Sequence, residues 1–318
     1  MNKLWYDLFL EELYKKFPKK SQLTKALMDL LSIEREAVYR RLRKIILFPA
    51  QELAKIAATW NISLDGIIGI DTHQTSFKGK FLHYLEPTEE DLKYMNKLLQ
   101  DLSNAVNDPN MEYMEVSNEL PLFLIARFPY LSRYYLLKWM YQFASNEVLP
   151  FSQVFFSEKV EEFSLTYHED SKKLAKTIFI WDPMLFEFLV SNVRYFYSIY
   201  LITTEEKKLI KKDIYTLLDY MSEVATKGCW PETGKKVYLY ISHINIETNY
   251  NYYYSEEAKL CSILAFANNE MHTIDSGVAD NFRKWMLSKK RASVQISEAD
   301  EKSRIAFFKK QRELIDRL

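Results

Sequence analysis

The strongest constraint on this chain lies near its N-terminus, where stretches of helical apolar spacing are cut off at Pro18, Ser32 and Pro49. Leu4, Leu8, Leu13 and Phe17 form a stripe along residues 2–17 that Pro18 ends. "SQLTKALMDLL" follows, with Ser21 as a candidate N-cap and Leu23, Leu27, Leu30 and Leu31 in phase. Ser32 closes that segment, and "EREAVYRRLRK" begins at Glu34. Pro49 suits the first position of a helix with Leu53, Ile56, Ala57 and Trp60 on one face, and Ser63 caps a short last helix in "SLDGIIGI". Helices this short are marginal on their own and must pack against one another. The expectation is a compact five-helix domain over residues 1–72.

The tight turn at Ser32 between the second and third helices is the geometry of a helix-turn-helix. On a helical wheel, Val38 and Leu42 of the third helix face the core, while Glu36, Tyr39, Arg40 and Arg43 share the opposite arc and Arg41 lies at the flank. Arginine can donate two hydrogen bonds to guanine, glutamate can accept from cytosine, and tyrosine can reach a phosphate or a thymine methyl. Arg35, Glu36, Tyr39 and Arg40 are therefore the candidate base readers. Arg41, Arg43 and Lys44, towards the helix end, are candidate phosphate partners, with Gln22, Thr24 and Lys25 from the start of the preceding helix. Glu36 and Arg40 also form a favourable i, i+4 pair whatever lies outside the helix.

The run "LTKALMDLLSIEREAVYRRLRKIILFPAQELAKIAATWNISLDGIIG" resembles the phage-repressor (Cro-like) helix-turn-helix regulators, most specifically in "AVYRRLR", the Pro-started helix and "ISLDGIIG". It is similar to a group of uncharacterised two-domain bacterial regulators with "YRRLRG" at this site. This chain departs from their pattern at Lys44, where glycine is common, and at Ser32, where the turn often carries glycine. Further on, "TEEKKLIKKDIYTLLDYMSEVATKG", "YISHINIET" and "SKKRASVQIS…FFKKQRELID" resemble the C-terminal region of the same regulators, with "SEADE" replacing their Ser/Gly-rich turn. The resemblance implies sequence-specific binding of double-stranded DNA.

Charge permits that partner without demanding it. The whole chain is neutral, with 43 basic and 43 acidic residues. Residues 1–71 hold 12 Lys/Arg and 9 Asp/Glu, a local net of +3. The two cysteines, Cys229 and Cys261, fit neither a disulfide framework nor a zinc site. No signal-peptide pattern is present, and the most apolar window, residues 177–202, is interrupted by Asp182, Pro183, Glu187 and Arg194. A cytoplasmic protein with no membrane partner, metal or cofactor is expected.

Residues 73–80 read as a short linker, and residues 81–318 as a regulatory/dimerisation domain. Helical spacing recurs from Thr88 to Val106, across "LFLIARFPYLSRYYLLKWMYQFA", through "PMLFEFLVSNVRYFYSIYLI", and from Thr204 to Gly228. "MEYMEVSNELP" fits a short strand, and the Tyr-, Ile- and Val-rich segment 235–275 fits two or three antiparallel strands. Ser297 is the candidate cap of a final helix over 297–318. The expected fold is mainly α (α+β overall), with a small antiparallel sheet near the C-terminus. The five histidines are scattered, and neither a glycine-rich phosphate loop nor a nucleophile elbow is found, so no catalytic residues are assigned. The expected function is a homodimeric transcriptional regulator with a sensing or dimerisation domain open to a small-molecule or protein effector. Two alternatives are a protein–protein interaction module built on the N-terminal helices, and an enzyme with an appended DNA-binding domain.

Overall fold

The computed structural model describes residues 5–60, 62–68, 75, 77–143, 149–255, 259–265 and 269–318. The chain divides into two compact units, Met1–Thr75 and Ser76–Leu318.

The first unit holds α1 (Trp5–Lys16), α2 (Lys20–Leu31), α3 (Arg35–Leu42), α4 (Ala50–Trp60) and a five-residue helical turn, α5 (Leu64–Ile68). Four full helices and a turn thus stand where five helices are expected. Tyr6, Phe9, Leu10 and Leu13 of α1 are buried, with Leu8 and Phe17 only partly covered. Of the expected stripe Leu4, Leu8, Leu13 and Phe17, Leu4 lies outside the described residues and Leu13 is in the core, while Tyr6 and Phe9 take the place of Leu8 because their aromatic rings carry more apolar area. They meet Leu23 and Leu27 of α2, Val38 of α3, Phe48, and Ile56 and Ala57 of α4. The Tyr6 hydroxyl accepts from the Phe48 amide at 3.2 Å and lies 3.2 Å from the Arg41 carbonyl oxygen, tying α1 to both ends of the α3–α4 connection. Helix α2 starts at Lys20 after an extended Lys19 with no side-chain cap, so Ser21 lies inside the first turn.

The second unit corrects the expected sheet. In place of a small antiparallel sheet there is an eight-stranded mixed one, in the order β1-β7-β6-β5-β2-β3-β4-β8. Its strands are β1 (Lys78–Lys80), β2 (Glu112–Ser117), β3 (Lys176–Trp181), β4 (Lys236–Ser242), β5 (Tyr250–Tyr254), β6 (Lys259–Ala265), β7 (Asn269–Thr273) and β8 (Ser293–Gln295). Strands β2, β3 and β4 are mutually parallel, and the other pairings are antiparallel. Parallel strands covered on both faces lose their alternation: β2 is buried at every position, and β3 at every position after its first. The segment read as a linker ends in β1, while its residues 73, 74 and 76 lie outside the described residues.

The helices are α6 (Glu89–Val106), α7 (Leu122–Ile125), α8 (Pro129–Phe143), α9 (Glu158–Ser171), α10 (Leu185–Ser198), α11 (Thr204–Lys227), α12 (Ser276–Arg291) and α13 (Glu301–Asp316). Capping boxes start α6 at Thr88/Asp91 and α11 at Thr203/Glu206. One sheet face, with Phe179, Trp181, Val237 and Leu239, packs on α7, α8, α10, α11 and α13. The other, with Met114, Val116, Ile178 and Ile180, packs on α12 through Ala279 and Met286. The cap of α13 is Asp300, whose side chain accepts from the Ser303 amide at 3.0 Å, and not Ser297. The Ser297 hydroxyl accepts from the Leu239 amide at 2.9 Å and belongs to the β4 side of the core. At the end of α11, Gly228 adopts φ +65° with Glu298 so near that an added Cβ would lie 2.2 Å from its side chain.

Candidate nucleic-acid interface

Helix α2 ends at Ser32, which has φ 54° and ψ 45°. This left-handed residue reverses the chain so that α3 begins at Arg35, after an extended Glu34. Lys44, at φ 63°, does the same after α3. Here L-residues hold the turns, at a cost on the order of 1 kcal/mol each.

Within α3 only Val38 is fully buried, with Ala37, Tyr39, Arg41 and Leu42 half-buried. Arg35, Glu36 and Arg40 are exposed, as is Arg43 just after the helix. The Tyr39 side chain organises part of this face. Arg35 donates to its hydroxyl through Nε at 3.2 Å and Nη2 at 3.0 Å. The Arg35 and Arg43 guanidiniums lie 5.4 and 5.7 Å from the ring centre. The expected Glu36–Arg40 pair does not form, and among the described residues neither side chain has an ion-pair partner. An unpaired guanidinium and an unpaired carboxylate one helical turn apart thus face outward on the same surface, where they can donate to a guanine edge and accept from a cytosine amine.

Two expected phosphate contacts are corrected. Arg41 is a strut between helices: its Nε and Nη2 donate to the Glu52 carboxylate at 2.6 and 2.7 Å, and its Nη1 donates to the Ala37 carbonyl at 3.1 Å. The pair is mostly enclosed, with side chains 13 % and 19 % exposed. Thr24 is buried and donates its hydroxyl to the Lys20 carbonyl at 2.8 Å, leaving nothing for an outside ligand. Gln22 and Lys25 are exposed on α2, as expected of residues that touch a backbone. Lys44 is half-exposed and paired with Asp7.

Residues 45–47 are a feature that sequence reasoning passed over. Ile45, Ile46 and Leu47 directly follow the basic helix and are 61 %, 41 % and 51 % exposed. The signal was visible in the sequence as three consecutive aliphatic residues between two helices. Sequence reasoning also missed a polar network in the second unit, in which Asn251 bonds Glu270 at 3.1 Å and the Tyr113 hydroxyl links Glu115 and Asn251 at 2.6 and 3.0 Å. Those residues come from three strands and converge only in the folded sheet.

No group of three or more His, Cys, Asp or Glu able to hold a metal ion occurs among the described residues. No helix there is long and apolar enough to cross a membrane. Compared with protein-family models, curated proteins and solved structures, the chain matches none.

Proposed function

We propose that this chain is a sequence-specific double-stranded DNA-binding transcriptional regulator whose α3 enters the major groove. The observation that carries this reading is the outward arc of α3, where Arg40 and Glu36 are exposed and unpaired among the described residues while Val38 anchors the helix to the core. Arg40 and Glu36 read base edges. Arg35 and Tyr39 form a cationic, aromatic lobe beside them. Gln22, Lys25, Arg43 and Lys44 meet phosphates, while Arg41 fixes the angle between α3 and α4. The larger unit serves dimerisation, sensing or partner recruitment, and the active form is a homodimer on a palindromic site. One such helix covers only a few base pairs, so specificity needs two copies about one DNA turn apart.

Selection of bound duplexes from a random pool tests this directly. The expected outcome is a two-fold symmetric motif with half-sites about 10 base pairs apart, or a multiple of that, and an affinity that falls steeply with salt. Recovery of unenriched duplexes refutes it.

A second reading is favoured by the exposed aliphatic run at residues 45–47, which suits a protein-binding surface better than a groove of DNA. In that case affinity for duplex DNA is absent, and replacing Ile45 and Leu47 with serine abolishes partner capture without touching any basic residue.

A further inference from the structure

Helix α10 packs on the core through Leu185, Phe186, Leu189, Val190, Val193 and Phe196, all of them buried. On a helical wheel the opposite arc centres on Ser191, with Phe188 and Tyr195 on one side of it and Glu187 and Arg194 on the other. Phe188 is 43 % and Tyr195 47 % exposed, Ser191 and Arg194 are exposed, and Glu187 is half-buried. The aromatic side continues onto α8, where Tyr141 is exposed and its hydroxyl lies 2.8 Å from that of Tyr195. Beside Phe188 a shallow recess is lined by Tyr134, Tyr135, Lys138 and Asn192. Tyr134 is buried there, and its hydroxyl has no hydrogen-bond partner among the described residues. Clustered exposed aromatic rings of this kind are what protein partners cover.

The charged side of the arc is unsatisfied within the chain. Neither Glu187 nor Arg194 has an ion-pair partner among the described residues. They cannot pair with each other, being seven residues and about 10 Å apart along the helix axis. The positions three and four residues from each hold Pro, Met, Val, Ser or Tyr, so the helix itself offers no opposite charge.

The arc is its own complement. Glu187 stands four residues before Ser191 and Arg194 three after it, while Phe188 stands three before and Tyr195 four after. A two-fold axis beside Ser191, perpendicular to α10, lays a second copy of the helix antiparallel on the first. That operation turns each side of the arc towards the same side of its copy. Glu187 then meets Arg194 of the second copy, Phe188 meets its Tyr195, and both contacts occur twice. No like charges meet along α10. Ser191 meets itself, and so small a residue at the crossing lets the helix axes approach to about 8–10 Å.

We infer that the exposed face of α10 is where two copies of this chain dimerise, through an isologous, antiparallel contact centred on Ser191. An unrelated protein would match the acid, the base and the rings only through its own sequence, whereas a second copy matches all of them by symmetry. The inference rests on the homodimer in the reading above and names its interface. It does not depend on the DNA contacts of α3.

The test is sedimentation velocity of the full-length protein without DNA, joined to oxidative cross-linking of cysteine variants. The wild type sediments as a dimer with Kd below about 50 µM. Glu187→Arg sets arginine against arginine at two places and weakens the dimer at least about tenfold, and Arg194→Glu sets glutamate against glutamate with the same result. The double reversal restores opposite charges and returns Kd to within about threefold of the wild type, a rescue that a misfolded variant would not show. Ser191→Cys cross-links two chains, because its copies meet at the axis. Ser198→Cys lies about 20 Å from its own copy and does not cross-link, nor does the wild type. A dimer that behaves in this way yet binds no duplex supports the interface and refutes the regulator. A wild-type monomer at about 100 µM, single reversals that leave Kd unchanged, a double reversal as weak as the single ones, or Ser198→Cys cross-linking as fast as Ser191→Cys each overturns the inference.

Discussion

Replacing Arg41 with alanine separates the structural arginine of α3 from its DNA-facing neighbour Arg40. Arg41 makes two charge-assisted hydrogen bonds to Glu52 and one to the Ala37 carbonyl, and its guanidinium lies 5.9 Å from the Phe48 ring centre. Removing one partner of a fully buried pair costs about 3–5 kcal/mol, because the other charge is left dehydrated and alone. The Glu52 side chain keeps 19 % of its surface in water, which softens the loss to about 2–3 kcal/mol. For a unit of this size that lowers Tm by roughly 10–20 °C. The assay is thermal unfolding of the full chain, with hydrogen–deuterium exchange on peptides spanning α3 and α4 to locate the change in the first unit. Glu52→Ala should be destabilising too, and the double variant should recover part of the loss, with a coupling above about 1 kcal/mol. The reasoning fails if Arg41→Ala leaves Tm and α3–α4 exchange unchanged while weakening DNA binding uniformly, because Arg41 would then be a phosphate contact.

Four further outcomes are expected. Ser32→Gly relieves a left-handed residue and raises stability by about 0.5–1 kcal/mol in urea unfolding, whereas a loss would show that the hydroxyl matters more than φ 54°. Gly228→Ala costs about 2 kcal/mol or more, since it forces a side chain into φ +65° and against Glu298; a neutral result means that Glu298 moves aside freely. Glu115 has a folded pKa raised to about 8, so its contribution to stability is full below the unfolded value near 4.5 and is lost as pH rises towards 8. Glu115→Gln should therefore flatten the decline of unfolding free energy across that window by up to about 1.4 kcal/mol per pH unit, and parallel curves for variant and wild type would contradict the assignment. Lys25→Ala should weaken binding to every duplex alike and reduce the salt slope by about one, an effect absent if Lys25 lies off the DNA.

Much of the first unit was legible in the sequence because its helices are amphipathic and punctuated. Pro18, Ser32 and Pro49 mark the breaks, and the Pro49 carbonyl accepts the first bond of α4 from Leu53. Ser63 likewise accepts from the Gly66 amide at 3.1 Å. Arg41 could not be read correctly from α3 alone, because its partner Glu52 lies on another helix and the wheel shows only the flank. Thr24 was misassigned because a helical threonine that bonds back to the fourth preceding carbonyl looks, in sequence, like one pointing outward. In the second unit the antiparallel strands show through their tyrosines and β-branched residues. Strand β3 does not, since "KTIFIW" is covered on both faces and its continuous apolar run merges with the helix that follows. Strands β1 and β8 have three residues each, too few for any period to register. The Glu115–Asn251–Glu270 network depends on register between β2, β5, β6 and β7 and is invisible before the sheet is built.

The central claim is that α3 presents Arg40 to a base while Arg41 holds the helix in place, and base preference at single positions of the selected duplex measures it most directly. Competition binding of full-length wild type and Arg40→Ala against all four bases at each position should show a loss of about 1–3 kcal/mol of discrimination at one base pair per half-site, with the others unchanged. Identical preferences in the two proteins, or no preference in the wild type at any position, would contradict it.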